Sequence, residues 1–272
     1  KQLYDLLSGI DLEKVVKIVF AGDFGQENPI SDISGSNSLI PELENLEFIN
    51  TTYLNKNFRS KEAPELVREF ESLLKENKLN NFGILDFYNN ENKLYSLITS
   101  KNNNFNKDLQ IITNSKKLRT FINNLILERN PDITKKWIAD KNHHEYKIVN
   151  GTEYLEEAEL GDFKILRDIK TGESKKIPKY LFSHYFILGF ATTVTKVQGA
   201  GYNNVLVLFD SYSNKLLNHN KVYTAITRAK KSCSIYFDSY NSYNTCMANK
   251  VKNTDSYSFS SIKTVEKVLS KN

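Results

Sequence analysis

Short apolar runs alternate along the chain with longer segments whose apolar residues recur at helical spacing. In one such segment these residues run from Leu66 to Leu74, and in another from Leu118 to Ile126. Strands that are apolar throughout and alternate with helices are typical of a parallel sheet in an α/β domain. The strands predicted in this way are Val15–Ala21, Leu109–Thr113, Tyr185–Phe190, Val205–Phe209 and Ser232–Phe237.

Polar residues mark the ends of these elements. Ser115 is a suitable N-terminal cap for the second helix, and Asn130-Pro131 is a stop signal after it. Residues 239–260 are polar with few apolar positions, so we predict a loop or tail there. Residues 262–269 have apolar side chains on one side and are predicted to form a short amphipathic helix.

One stretch interrupts the α/β pattern. Between Tyr146 and about Lys179, short β patterns alternate with turn signals, among them the Asn150-Gly151 dipeptide. Residues 163–166 alternate in polarity and lead into a Gly-containing turn, which indicates a β hairpin. We therefore predict a small β insertion at about residues 146–183.

Composition narrows the class of protein without fixing it. The 272 residues correspond to one large or two modest domains, and 40% of them are hydrophobic, enough for a core. The net charge of +5 fits either a polyanionic partner or ordinary surface charge. With two cysteines and no apolar stretch of membrane-spanning length, we predict no metal centre, no membrane partner and a cytoplasmic location.

Two loops near the start of the chain carry residues suited to phosphate binding. Residues 22–29 follow a predicted strand, where Gly22 permits a sharp turn and the amide of Gln26 can donate to a phosphate oxygen or orient a water. The alternative is a tight turn without chemistry. Further on, the guanidinium of Arg59 can hold a phosphate through two parallel hydrogen bonds, or it is a surface arginine near a helix cap at Ser60.

Two further clusters lie near the C-terminal strands. Residues 192–201 place hydroxyls, a lysine, an amide and two glycines between two predicted strands, a set that suits phosphate or sugar contacts. The alternative is a Thr-rich turn. In residues 223–231, Arg228 lies on a predicted short helix just before a strand, which suits an arginine finger, or it belongs to a basic helix face.

Together and in this order, the four clusters resemble motifs III to VI of the superfamily 1 helicases, closest to the UvrD-like and RecD-like branches. The third motif, G-D-x-x-Q-x-x-P, and the sixth, Y-x-A-x-T-R-A, are filled completely, and the fifth, T-x-H-K-x-Q-G, differs at one position. The residues that carry the resemblance are Gly22, Asp23, Gln26 and Pro29, then Phe58 to Ser60, then Thr193 to Gly199, and last Tyr223, Ala225, Thr227, Arg228 and Ala229.

The resemblance implies a fold of RecA-like domains, each a parallel sheet with flanking helices. Residues 1–50 would be the end of the first such domain, and residues 51–272 the second. The Val149-Asn150-Gly151 phrase resembles the start of the SH3-like small barrel that RecD-like members carry, so the β insertion at about 146–183 would be this barrel.

The resemblance also implies a role for individual residues. Gln26, Arg59 and Arg228 would reach the γ-phosphate of ATP and act in catalysis. Gly22, Asp23, Gln198 and Gly199 would line the nucleotide site. Thr193, Thr195 and Lys196 would contact the backbone of the nucleic acid.

Two departures and one absence distinguish this sequence from the family pattern. Thr195 stands where the fifth motif has histidine, and Gly201 lies where the family often has an acidic residue. No G-x-x-x-x-G-K followed by Ser or Thr occurs, and no Asp-Glu pair ends an apolar run before the third motif. We therefore expect a fragment whose partner, an N-terminal RecA-like domain, supplies the ligands of Mg²⁺, and no ATP hydrolysis by these residues alone. A clipped N-terminus is the alternative.

The sequence thus predicts the C-terminal motor half of an ATP-dependent helicase or translocase. It would act on single-stranded nucleic acid, with DNA favoured over RNA, and move 5′ to 3′. A second interpretation is a catalytically inactive, helicase-like module that only binds nucleic acid; the residues at 195 and 201 favour it, and the intact Gln26 and Arg228 oppose it. A third, an unrelated α/β nucleotide binder, requires four ordered motifs to be coincidental.

Overall fold

A computed structural model describes residues 63–101, 109–212 and 217–249. These residues fall within one compact unit, Asn57–Lys250. The predictions for the first strand, for the loop at 22–29, for Arg59 and for the helix at 262–269 lie outside the described residues.

The described part of the chain contains two five-stranded sheets. Its elements in chain order are α1 (Pro64–Glu76), β1 (Gly83–Ile84), α2 (Glu91–Lys101), β2 (Leu109–Thr113), α3 (Lys116–Arg129), β3 (Lys136–Ala139), β4 (Glu153–Leu160), β5 (Phe163–Asp168), β6 (Ser174–Pro178), α4 (Phe182–Tyr185), β7 (Phe186–Leu188), β8 (Ala191–Thr193), β9 (Tyr202–Phe209), α5 (His219–Ile226), β10 (Ala229–Phe237) and α6 (Tyr240–Ala248), with single 3₁₀ turns at Lys179–Leu181 and Val194–Val197.

The first sheet is parallel throughout, with strand order β1-β10-β9-β2-β8. A separate hydrophobic core covers each face of this sheet, and alternate residues of β9 belong to different cores. Val207 packs with α1, α5 and α6, whereas Leu206 and Leu208 pack with α2 and α3. Because both faces are covered, β2 is buried along its whole length, as its mainly apolar sequence predicts. The predicted RecA-like arrangement of a parallel sheet with flanking helices is confirmed.

Helix α3 begins and ends where its sequence indicates. The hydroxyl of Ser115 accepts a hydrogen bond from the backbone N–H of Leu118 at 3.1 Å, which satisfies one of the free donors of the first turn. Asn130 caps the other end, just before Pro131. Two cations of the first turn of this helix, Lys116 and Arg119, are close enough to Asp140 to lower the pKa of that carboxyl.

The second sheet is antiparallel, with strand order β6-β5-β4-β3-β7. Its β5–β6 hairpin turns at Gly172, whose φ of +77° favours glycine. The sheet has a small core of its own that includes Tyr154, Leu166 and Phe186. It extends from Lys136 to Leu188 and so is wider than the insertion predicted at about 146–183.

The prediction of one parallel strand at Tyr185–Phe190 is wrong. Residues 186–188 form β7 and pair with β3 in the antiparallel sheet, and only from Ala191 does the chain join the parallel sheet as β8. Gly189 separates the two strands. A Cβ atom there would lie 2.8 Å from Cγ1 of Ile138, so glycine allows the crossing chain to approach β3 closely.

The prediction of a loop or tail over residues 239–260 is wrong for residues 240–248, which form helix α6, and residues 250–260 lie outside the described residues. The hydroxyl of Ser239 caps helix α6 by accepting from the N–H of Ser242 at 3.2 Å. Cys246 is fully buried, and the ring of Tyr243 stacks on Phe82 at 4.1 Å between centroids. A few well-placed contacts thus stabilise a polar helix. Among the described helices, none has the length and apolar character needed to cross a membrane.

Candidate functional site

The loop that follows β8 carries the fifth motif. Val194 and Val197 are buried and anchor its 3₁₀ turn to the core beneath α5. Between and after these anchors, the side chains of Thr195 and Gln198 are exposed. The loop is therefore fixed from below while its polar side chains face outward, which is the arrangement that a binding loop requires.

The loop then turns back to enter β9. Gly199 has a φ of +87°, in the left-handed region that favours glycine. Thr193, in contrast, belongs to β8, where it pairs with Thr113 of β2 and is half-buried. The motif therefore divides into a strand end and a loop, and its exposed polar groups belong to the loop.

A groove of about 660 Å³ lies between this loop and the antiparallel sheet. The loop contributes three predicted site residues to its lining: Thr195, Lys196 and Gln198. Turns next to strands of the antiparallel sheet contribute further lining residues, among them Asn150 and Lys170. Thr195 and Lys196, predicted for the nucleic acid, therefore share one groove with Gln198, predicted for the nucleotide.

Lys196 is held at the edge of the groove by a carboxylate. Its Nζ lies 3.0 Å from Oδ1 of Asp140 and also donates to the side-chain oxygen of Asn150. Burial tends to raise the pKa of Asp140, but the hydrogen bond and charge of Lys196 and the charges of Arg119 and Lys116 hold it below its ordinary value. One ionised carboxylate is thus surrounded by three cations, so the local surface is basic.

Arg228, the arginine of the sixth motif, lies in the turn between α5 and β10 rather than on the helix itself, which ends at Ile226. It is only 2% exposed. Its Nε donates to the carbonyl of Thr224 at 3.0 Å, and its Nη1 donates to the carbonyl of Ala200 at 3.2 Å. The second bond joins the sixth motif directly to the loop of the fifth.

Beneath the groove lies a buried polar group that the sequence motifs do not reveal. Lys136 has a side chain only 5% exposed and forms an ion pair of 2.8 Å with Glu153. Tyr202 donates its phenol to the other oxygen of Glu153 at 2.7 Å, and Lys136 also donates to Gln110 at 2.9 Å. The available signal is Gln110 itself, because a polar side chain inside an otherwise apolar strand needs a buried partner.

The predicted site residues thus fall into two sets. The fifth and sixth motifs meet at the bond between Arg228 and Ala200. Within the described ranges, no group of three or more His, Cys, Asp or Glu side chains is arranged to hold a metal ion. The predicted residues that lie outside those ranges are Gly22, Asp23, Gln26 and Arg59.

Comparison with known proteins agrees with these motifs. Residues 188–236 match the family model of the UvrD-like helicase C-terminal domain, a range that contains both the fifth and the sixth motif. No curated protein sequence matches the chain at a significant level.

Solved structures of Pif1 helicases are similar in fold. The enzyme from Candida albicans has a TM-score of 0.50 at 11% identity, with 79% of this chain and 63% of that chain covered. The enzyme from Bacteroides, solved with ADP-AlF3 and ssDNA, has a TM-score of 0.46 at 14% identity, with 81% and 57% covered. This chain therefore spans less than two thirds of the length of either.

The structural similarity at this level of identity concerns the fold alone, and the match to the family model covers residues 188–236. The matched domain contains the two most specific motifs, and the parallel sheet with flanking helices is the fold in which they are expected. Residues 188–236 of this chain thus resemble the C-terminal domain of UvrD-like helicases, and the described fold resembles that of the Pif1 helicase from Candida albicans.

Proposed function

We propose that this chain is the C-terminal motor half of an ATP-dependent helicase or translocase that moves 5′ to 3′ along single-stranded DNA. The observation that carries the proposal is the hydrogen bond between Arg228 and Ala200. It connects the predicted γ-phosphate arginine to the loop whose polar residues line the groove. A motor needs such a connection, because nucleotide chemistry has to alter the grip on the strand.

The groove is the proposed path of the nucleic-acid strand. Its loop side offers the hydroxyl of Thr195 and the ammonium of Lys196, and the opposite side offers Asn150 and Lys170. Hydroxyl, amide and cationic groups contact phosphate and sugar without reading base sequence. The basic cluster around Asp140 supports this assignment, since phosphate contacts dominate the affinity for nucleic acids.

The nucleotide side of the proposal rests on Arg228 and on the end of the loop. ATP with Mg²⁺ would bind between this domain and an N-terminal RecA-like domain, which would supply the phosphate-binding loop and the magnesium ligands. Gln198 and Gly199 would line the cleft, with Gly22, Asp23, Gln26 and Arg59 as the other proposed contacts. The guanidinium of Arg228 is bonded to the carbonyls of Thr224 and Ala200, so a phosphate that attracts it would also act on the loop of the fifth motif.

The proposal is tested by measuring ATP hydrolysis by the full-length protein with and without single-stranded DNA. Turnover that the strand stimulates supports a motor. Strand binding without any turnover would instead establish the catalytically inactive binding module. The departures at Thr195 and Gly201 are the features that favour this second function.

The strand path gives a sharper expectation at Asp140. Replacing Asp140 with asparagine removes the carboxylate that competes with phosphate for Lys196. We expect the full-length protein to bind single-stranded DNA several-fold more tightly, with a steeper dependence on salt because one more cation is free to displace counterions. Fluorescence anisotropy of a labelled oligothymidylate over a series of salt concentrations measures both quantities.

Two comparison variants give this result its meaning. Lys196→Gln should bind the strand more weakly than Asp140→Asn, with a salt slope lower than that of Asp140→Asn by about 0.7, the value for one phosphate contact on a single strand. Lys75→Gln changes an exposed lysine on α1 that pairs with Glu71, away from the groove, and should leave the slope unchanged. Equal slopes in all three variants would mean that the strand does not pass Lys196.

A further inference from the structure

The ion pair beneath the groove joins the two sheets. Lys136 and Glu153 belong to β3 and β4 of the antiparallel sheet, whereas their partners Gln110 and Tyr202 belong to β2 and β9 of the parallel sheet. The amide of Gln110 also donates toward the carbonyl of Phe190, where the chain returns from one sheet to the other. These hydrogen bonds therefore connect the two sheets along their shared boundary, which we call the seam.

Tyr202 is the member nearest to the sixth motif. Its backbone N–H donates to the carbonyl of Arg228 at 2.9 Å, and it lies two positions after Ala200, which accepts from the guanidinium of the same arginine. Tyr202 and Arg228 are thus connected through both their backbones and the loop. A displacement of Arg228 would be passed to Tyr202 over a single hydrogen bond.

The phenol of Tyr202 remains a donor throughout the neutral range. Burial, followed by the charge of Glu153 and the hydrogen bond to it, raises the pKa of Tyr202 well above its ordinary value, although the charge of Arg228 opposes the shift. The bond to Glu153 is therefore a charge-assisted one, about twice as strong as a bond between neutral groups. Glu153 and Tyr202, the two residues that this bond joins, both line the groove.

We propose that Tyr202 is a positioning residue that transmits the state of the nucleotide from Arg228, through Glu153, to the wall of the groove formed by the antiparallel sheet. This inference rests on the proposed function and adds a route to it. When Arg228 turns toward a phosphate, its carbonyl and the loop at Ala200 shift with it. Tyr202 then shifts Glu153 and, with it, the start of β4.

The test measures the coupling between two ligands in the full-length protein. The dissociation constant for an oligothymidylate is determined with and without AMPPNP, and the ratio of the two constants is the coupling. Tyr202→Phe keeps the ring and removes only the bond to Glu153. We expect Tyr202→Phe to reduce the coupling, so that the ratio of the two dissociation constants changes by roughly 2- to 30-fold toward one. This is the range seen when residues that connect two sites are changed.

A purely structural role for Tyr202 predicts a different outcome. Weaker packing would change both dissociation constants alike and leave their ratio as it is in the unmodified protein. Tyr236→Phe makes the same chemical change on β10, outside the groove, and should also leave the ratio unchanged. Thermal unfolding of each variant shows whether the fold is retained.

A second variant removes the hydrogen bond between Tyr202 and Glu153 by changing Glu153 instead of Tyr202. Replacing Lys136 with methionine together with Glu153 with leucine eliminates the acceptor without leaving one charge buried alone. This double variant should lower the coupling as Tyr202→Phe does, and adding Tyr202→Phe to it should have no further effect. Additive effects would overturn the proposal.

The remaining outcomes separate this inference from the proposed function. An unmodified protein that binds both the strand and AMPPNP but shows no coupling contradicts the proposed motor, and the relay with it. A protein that binds neither contradicts the proposed function, and the relay with it. An unchanged ratio in Tyr202→Phe, beside clear coupling in the unmodified protein, contradicts only the role of Tyr202.

Discussion

Replacing Arg228 with alanine in the full-length protein is expected to lower strand-stimulated ATP turnover about a thousandfold, which is the low end of the contribution made by an arginine finger. The loss should appear in kcat, because the charge that the guanidinium would neutralise develops on the transferring phosphoryl group in the transition state. Steady-state turnover at saturating oligothymidylate measures it.

Burial complicates this experiment, since Arg228 is 2% exposed and bonded to Thr224 and Ala200. Alanine there also removes structural contacts, so thermal unfolding and strand affinity have to be measured alongside turnover. Arg228→Lys keeps the charge but loses the planar guanidinium that can form two parallel hydrogen bonds. We expect this variant to turn over ATP slowly as well. Arg167→Ala changes a half-exposed arginine that pairs with Glu157 on the antiparallel sheet, and it should retain full turnover.

Two results would contradict the assignment. One is a folded Arg228→Ala protein that hydrolyses ATP at the unmodified rate. The other is a loss of turnover that Arg228→Lys restores completely, because a point charge would then suffice and the planar group would have no special role. A loss accompanied by global unfolding is separated from both by the Arg228→Lys protein, which keeps the long side chain in place.

Local signals in the sequence are sufficient where an element is determined by its own residues. Helix α3 has its cap at Ser115, and β2 is mainly apolar, so the sequence predicts both at their observed positions. The fifth and sixth motifs are also determined by local sequence, because the residues of each motif lie close together in the chain. Their loop and turn can therefore be recognised from the amino-acid sequence alone.

The errors occur where distant parts of the chain determine the local structure. The division of residues 185–190 between two sheets depends on the contact of Gly189 with Ile138, which lies about fifty positions away in the sequence. Helix α6 depends on Phe82 from the other end of the described chain. Hydrophobic periodicity carries no information about such partners.

The same reason explains which parts of the site the sequence does not predict. Lys196 is predicted from its motif, but its partner Asp140 directly follows strand β3 of the antiparallel sheet and belongs to no motif. Glu153 and Lys136 are likewise ordinary charged residues in sequence, and their roles arise only from the seam that buries them. The sequence therefore predicts the side chains that would contact a ligand. It does not predict the residues that hold these side chains in position.

Lys136→Ala is expected to lower the free energy of unfolding of the 272-residue chain by about 3–5 kcal/mol. The substitution leaves Glu153, whose side chain is 21% exposed, without its cation, and breaking a mostly buried pair from one side is more costly than never forming it. Urea unfolding followed by tryptophan fluorescence suits the measurement, because Trp137, the single tryptophan of the chain, is the next residue.

The charge, rather than the lost packing of the lysine stem, should account for most of this cost. The double change Lys136→Met with Glu153→Leu removes both charges and should recover at least about 1 kcal/mol of the loss, even though Gln110 then lacks its donor. Lys75→Ala, at an exposed position of α1, should change the free energy by less than about 0.5 kcal/mol. If the double variant were less stable than Lys136→Ala, the ion pair would be a net source of stability, and the seam between the sheets would be held by its charges.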